Sequence, residues 1–239
     1  MKIIVALFLS FYFCSANFAQ FQKTENYKGF DRRFFYFGVQ LGVNNTSFKF
    51  IPSSDAYTSL GYSLIESIPQ PGLQFGMVTS MKLFIPVLRL RLVPTFSFQE
   101  RVINYYTLPL IKDQISEDKH QERVNSSNID FPLMLQLRTL RYGNFTSYCL
   151  GGIQYSIDLQ SLEEKTQNLM DPFIKIKKKD VAAQVGAGIE FFNEYYKFGI
   201  ELKYSQGFSN VFVKDNVPIA KPIDLLINNS WIFSITFEG

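Results

Sequence analysis

LRLRLVPTFSFQER, residues 88–101, decides the fold. Successive side chains of a β-strand point to opposite faces, so Leu88, Leu90, Leu92, Phe96 and Phe98 share one face of such a strand. Arg89 and Arg91, then Thr95, Ser97 and Gln99, share the other. An arginine facing lipid near the bilayer midplane costs about 2–4 kcal/mol, so in a membrane both arginines turn inward, into a lumen. Pro94 has no backbone N–H and marks a bulge or a weak spot in the ladder.

The same alternation recurs on both sides of this stretch. Strand one, 33–44, sets Phe35, Phe37, Val39, Leu41 and Val43 against Tyr36, Gly38, Gln40, Gly42 and Asn44. Strand two, 71–83, sets Leu73, Phe75, Met77 and Leu83 against Gln74, Gly76, Ser80 and Lys82. Strand three is 87–101. Strand four, 128–140, carries Ile129, Phe131, Leu133, Leu135 and Leu137 outward, with Asp130, Gln136 and Arg138 inward. Strand five, 145–159, holds Gly151, Gly152 and Asp158, but its phase from Phe145 to Leu150 is ambiguous. Strand six, 177–191, places Val181, Val185, Ile189 and Phe191 outward, with Asp180, Gln184 and Glu190 inward. Strand seven, 195–206, places Tyr196, Phe198, Ile200, Leu202 and Tyr204 outward, with Lys197, Glu201 and Lys203 inward. Strand eight, 227–238, places Trp231, Phe233, Ile235 and Phe237 outward, with Ser230, Ser234 and Thr236 inward.

The links between these strands have a rhythm. Phe84-Ile85-Pro86, Arg141-Tyr142-Gly143-Asn144 and Asn193-Glu194 are tight, whereas 45–70, 102–126, 160–175 and 207–226 are long. Short periplasmic turns and long outer loops characterise an antiparallel barrel of a bacterial outer membrane. The expectation is therefore an all-β protein: an eight-stranded antiparallel transmembrane β-barrel spanning 33–239, with both termini in the periplasm. A barrel of that size is filled by side chains.

The chain begins MKIIVALFLSFYFCSANFAQ. Lys2, the apolar run Ile3 to Phe13 and the small residues that follow read as a signal peptide, 1–19, cleaved after Ala16 or Ala19. Residues 20–32 form a short periplasmic lead. No later segment has the ~18 uninterrupted apolar residues of a membrane helix, so a membrane-spanning fold must be a closed barrel. Cys149 is the only cysteine left after cleavage, which removes an intrachain disulfide and a cysteine-based zinc site. A net charge of +3 is too small to suggest nucleic acid. The 25 Phe and 13 Tyr suit aromatic girdles, although a small soluble core can also use many Phe.

The inward charges are mixed: Arg89, Arg91 and Arg138 against Asp130, Asp158, Glu190 and Glu201, with Lys82 and Lys203. They read either as an ion pathway or binding site, or as a satisfied ionic plug in a narrow lumen. Mixed signs and the small diameter favour the plug. Glu190 and Glu201 are a carboxylate pair, but cations stand beside them, and no catalytic site is assigned. His120 is the only histidine, in the charged stretch Lys112 to Arg123, without the partners of a metal or Ser-His site. Lys175, Lys177, Lys178 and Lys179 could hold anionic lipopolysaccharide or a partner; a solvated rim is the default. No cofactor, metal or small-molecule substrate is expected.

Several segments together resemble the PorT family, the outer-membrane barrel component of the type IX secretion system, tied to motility in gliding bacteria. They are FYFGVQLGVNNTSFKF (35–50), PGLQFGMVTSMKL (71–83), LRLRLVPTFSFQER (88–101), IDFPLMLQLRTLRYGN (129–144), YCLGGIQYSIDL (148–159) and IDLLINNSWIFSITFEG (223–239). The likeness spans nearly the whole mature chain. It implies an outer-membrane barrel in protein export, with no catalytic residues. One departure from the general barrel pattern is that Glu238-Gly239 follow Phe237, which displaces the usual C-terminal assembly signal.

The leading expectation is a non-catalytic accessory component of the secretion machinery. It sits in outer-membrane lipid and docks other secretion proteins through its wall or its loops, 45–70 and 210–224 foremost. Three alternatives stand beside it: a generic small porin or adhesin-like barrel, a lipid-modifying enzyme on the same scaffold, and a soluble lipocalin-like barrel. The last would turn the apolar face inward, and periodicity alone fits either topology.

Overall fold

The computed structural model describes residues 26, 29–53, 62–107, 118–163, 173–215, 217 and 219–239. The signal peptide, most of the lead, and 54–61, 108–117 and 164–172 within the long links lie outside the described residues. The strands are β1 (Phe35–Pro52), β2 (Tyr62–Lys82), β3 (Leu88–Leu92), β4 (Thr95–Thr107), β5 (Asp118–Arg138), β6 (Phe145–Asp158), β7 (Lys179–Phe192), β8 (Lys197–Gly207) and β9 (Ile223–Glu238). All pair antiparallel with their neighbours, and β1 pairs with both β2 and β9, so the sheet closes on itself.

The nine strands fill eight positions around the ring. β3 and β4 stand in tandem, each flanked by β2 on one side and β5 on the other. The interruption is at Val93-Pro94. Thr79 opposes Leu92 and Gly76 opposes Thr95, so the register against β2 continues through the gap. Pro94 is thus a missing ladder donor and not a bulge. The register shifts lie in β2 instead, between Tyr62 and Leu64 and between Pro69 and Gln74.

The burial pattern resolves which face is inside. Phe37, Leu41 and Met77 are 61, 57 and 66 % exposed, whereas Arg91 and Glu201 are completely buried. Through the lower part of the barrel the apolar face is outward, and the lipocalin-like arrangement is excluded there. The ambiguous phase of 145–150 also resolves: Thr146, Tyr148 and Leu150 are buried, while Phe145 and Cys149 face out. Phe145, Phe191, Phe198, Phe237 and Tyr196 form an outer chain of rings near the turn end, with successive centroids 5.2–6.4 Å apart. Tyr204 and Trp231 meet in a tilted contact, centroids 4.9 Å apart, higher up. Two aromatic levels around an apolar band match an outer-membrane barrel.

Several strands run further than expected. β2 starts at Tyr62 rather than 71, β5 at Asp118 rather than 128, and β4 continues to Thr107. The long links expected at 45–70 and 102–126 are therefore largely strand. His120 is an exposed strand residue on β5, opposite Tyr105. These tops lack the lipid-facing apolar alternation because they stand beyond the bilayer. β6, β7 and β8 stop lower, at Asp158, Lys179 and Gly207, so a tall wall of β9, β1, β2, β4 and β5 rises above a short one.

The segments joining the short strands close the gap over this wall. Ile176 bridges to Phe212, and Tyr105 Oη donates to the Ile219 carbonyl at 3.0 Å. Asn210 Oδ1 accepts from the backbone N–H groups of Phe212 and Leu226, each at 3.0 Å. Val211, Phe212, Val217 and Ile219 pack with Phe48, Ile65, Ile103, Tyr105, Val124 and Leu226 into one buried apolar core. The 210–224 segment, expected as a free docking loop, instead folds inward as a cap, and Pro218 lies outside the described residues.

Candidate functional site

The lumen is the site, and strand parity builds it. Inward positions of β1, β3, β5, β7, β8 and β9 converge near the turn end, which by its short links is the periplasmic end. Arg91 on β3 pairs with Glu201 on β8 and, at 2.9 Å, with Glu238 on β9. Lys203 Nζ lies 2.8 Å from Glu201 and 2.8 Å from Gln40 Oε1. Tyr148 Oη donates to Glu201 at 2.7 Å and Ser234 Oγ at 3.2 Å. Lys197 Nζ bridges Glu190 at 2.7 Å and Glu238 at 2.9 Å. Arg138 reaches Glu190 at 3.1 Å, and Gln136 Nε2 donates to the same carboxylate at 2.9 Å. Every carboxylate in this lattice has at least two cations, which is the condition for burying charge without a large net penalty.

The predicted lumen residues divide on inspection. Arg91, Arg138, Glu190, Glu201 and Lys203 come together in the lattice. Arg89 is fully buried but makes no ion pair among the described residues; its guanidinium lies over the Tyr36 ring, 4.6 Å from the centroid. Asp130 and Asp158 are buried higher up, within the electrostatic reach of Arg101, and are not part of the lattice. Lys82 is half-buried, opposite Arg89. Two lattice members were absent from the expected network. Glu238 read as a displaced terminus, although it shares parity with Ser234 and Thr236. Lys197 read as inward but was not connected to the charge set.

Both ends of the lumen are closed. At the turn end a single 3-10 turn, Phe30–Arg32, inserts Phe30 against Tyr36 and Phe192, with ring centroids 4.4 and 5.8 Å away. Asp31 ties this turn to Arg138 at 3.1 Å and to Arg141 at 3.7 Å. Asn26 N donates to Asn144 Oδ1 at 2.8 Å, in the tight turn where Gly143 adopts the left-handed conformation (φ 59°). At the loop end the apolar cap sits over the lumen. Between cap and lattice, Arg101, Asp130, Gln154, Ser156 and Ser230 line a cavity of about 30 Å³. That is room for a water or two, not for a peptide or a folded chain.

A closed antiparallel sheet with an apolar, aromatic-girdled exterior and a charged interior defines an integral outer-membrane β-barrel. The model of the outer membrane protein beta-barrel domain family matches residues 18–213, and the chain belongs to that family. Among solved structures the chain is similar to the outer membrane protein OprG of Pseudomonas aeruginosa, at 13 % identity over 86 % of this chain and 95 % of that one, with a TM-score of 0.46. It is also similar to Neisserial surface protein A, at 8 % identity over 84 and 95 % of the two chains, with a TM-score of 0.42. Ail, the attachment invasion locus protein of Yersinia pestis, gives 8 % identity over 87 and 100 %, with a TM-score of 0.40. No curated protein matches the chain. The protein is an outer-membrane protein.

Proposed function

We propose that this barrel is a non-catalytic accessory component of the type IX protein secretion machinery, needed for cargo to reach the cell surface. The secretion part of this reading rests on the six segments that resemble the PorT family. The accessory part rests on one observation: the lumen is filled from end to end, by the Phe30 turn, the ionic lattice and the apolar cap. Such a barrel contributes surfaces, not a passage. Its partners are then other secretion proteins, held through the barrel wall or the outward face of the projecting strands. Loops are a poorer candidate than the sequence implied, since 210–224 is committed to the cap. Deletion of the gene, with periplasmic and surface cargo measured, tests the reading. Cargo retained in the periplasm and released on complementation is expected; normal export in the null strain overturns it.

A second reading is a small surface barrel of adhesin-like type with no secretion role. The observation favouring it is the ordered wall of five strands that stands above the bilayer with a folded cap. It requires normal export in the null strain and a changed interaction of the cell surface.

A further inference from the structure

On the short side of the barrel the outward apolar run ends abruptly. Tyr155 on β6, Val181 on β7 and Tyr204 on β8 are among its last members, and Tyr204 meets Trp231 at the level where aromatic side chains mark the membrane interface. Directly above Val181 stands Lys179, on the same outward face by parity, followed by Lys178 and Lys177. All three are exposed. Phe208 and Leu159, 65 and 54 % exposed, lie beside them at the ends of β8 and β6, and Phe208 N donates to the Val181 carbonyl at 2.9 Å. The patch is thus apolar below and cationic above.

The lysines stand on fixed backbone. Lys177 N donates to Val211 O at 2.8 Å, Asp158 N donates to Lys178 O at 2.8 Å, and Lys179 pairs with Ile157 in the ladder. Lys175 and Lys214, close by, pair with Asp215 at 2.9 Å and Asp224 at 2.5 Å. Lys177, Lys178 and Lys179 have no carboxylate partner among the described residues. Lys177 Nζ meets the neutral Asn210 carbonyl, at 2.8 Å. The adjacent carboxylate, Glu163, accepts the backbone N–H of Lys178 at 2.8 Å. Three like charges at consecutive exposed positions repel one another and favour an external anion.

We propose that Lys177, Lys178 and Lys179 form a seat for the phosphate groups of a phosphorylated glycolipid of the outer leaflet, with Phe208, Leu159 and Tyr155 against its acyl chains. The position at the upper margin of the apolar band selects a membrane lipid over a soluble anion, because only a lipid can occupy both halves of the patch. Each basic residue near an anionic membrane surface is worth a factor of about five in affinity.

The test uses the full-length folded barrel in a neutral detergent. It is titrated with diphosphorylated lipid A, with dephosphorylated lipid A and with inorganic phosphate, and bound copies are counted by native mass spectrometry. The combined K177Q, K178Q and K179Q variant is expected to bind diphosphorylated lipid A roughly 100-fold more weakly, and K179Q alone about fivefold more weakly. K49Q, at an exposed lysine on β1, keeps wild-type affinity. A folded barrel, confirmed by its heat-dependent gel mobility, is required of each variant; should the triple one fail this, K179Q decides alone. Equal affinity of wild type and variants overturns the proposal, as does equal binding of dephosphorylated lipid. Lysine-dependent capture of inorganic phosphate at comparable concentration overturns the assignment to a lipid.

Discussion

The lower and upper halves of this barrel are inverted copies of one idea. Below, side chains facing out are apolar and those facing in are ionic: Leu202 is exposed on the outward face while Glu201 and Lys203 beside it are sealed in the lumen. Above, the order reverses on the tall strands, β5 and β9 among them. Val124 and Leu226 are buried inside, whereas Gln121, Arg123 and Asn125 are exposed outside. The backbone, the pairing and the direction of alternation are continuous through the change. What differs is the solvent outside the wall. The comparison teaches that parity assigns a residue to a face, and that the medium beyond the face then selects its chemistry.

The largest expected effect lies in the lattice. Glu201 accepts from Arg91, Lys203, Tyr148 and Ser234, so E201Q leaves buried Lys203 without its carboxylate and Arg91 with Glu238 alone. Breaking a buried pair by removing one partner costs about 3–5 kcal/mol. The urea midpoint of the barrel refolded in lipid should fall accordingly. A change under about 1 kcal/mol would show that water reaches the lattice and screens it, against a closed lumen.

The inversion itself is tested by deleting apolar bulk from each half. Leu226 is fully buried in the upper core, and L226A is expected to cost about 2–5 kcal/mol. Leu202 faces lipid, and in L202A the acyl chains fill the vacated space, because lipid tails are as apolar as leucine. Its cost should stay well below that of L226A in the same urea assay. Equal losses would mean that the outward face at Leu202 is packed against something more specific than lipid. Charge insertion gives the mirror image. L202R should lose about 2–4 kcal/mol, the penalty for arginine facing the bilayer interior, whereas N125R, on the polar outer face of β5, should stay within about 0.5 kcal/mol of wild type.

These contrasts also explain what could be read from the sequence. The lower half was legible because lipid forces strict alternation on the outward face, and strands such as 35–43 or 88–92 satisfy it without exception. The upper half was not. DKHQERVNSS and YSLIESIPQP carry charges or prolines at positions where a lipid-facing strand tolerates neither, so they read as loops; their inward apolar side chains, Val124 and Ile65 among them, are too widely spaced to signal a strand alone. They become strands because their neighbours do. In the site, Arg91 and Glu201 were legible from parity within a clean strand. Glu238 was hidden because the terminus was judged against an assembly signal and not by its place after Ser234 and Thr236. The separation of Arg89 from the lattice was invisible for a different reason: parity gives the face, while only the closing of the ring decides which inward groups are at the same height.

The smallest effect concerns the seam where the two tandem strands meet. Met77 N donates to Pro94 O at 3.0 Å, and the register that sets Thr79 opposite Leu92 and Gly76 opposite Thr95 sets Met77 opposite Pro94. In an antiparallel pair of this kind the two residues exchange both of their N–H groups. Pro94 cannot return the bond, so the Met77 carbonyl lacks its ladder donor at this point, within the lipid-facing band. P94V supplies the N–H with a β-branched side chain on the outward face, and the unshifted register means that no residue has to move to accept it. The gain expected is about 1 kcal/mol, the net value of one hydrogen bond, seen as a raised urea midpoint and as slower amide exchange at Thr95. A loss instead of a gain would mean that the seam relieves curvature of the wall within the lipid-facing band, and that the break between β3 and β4 is needed there.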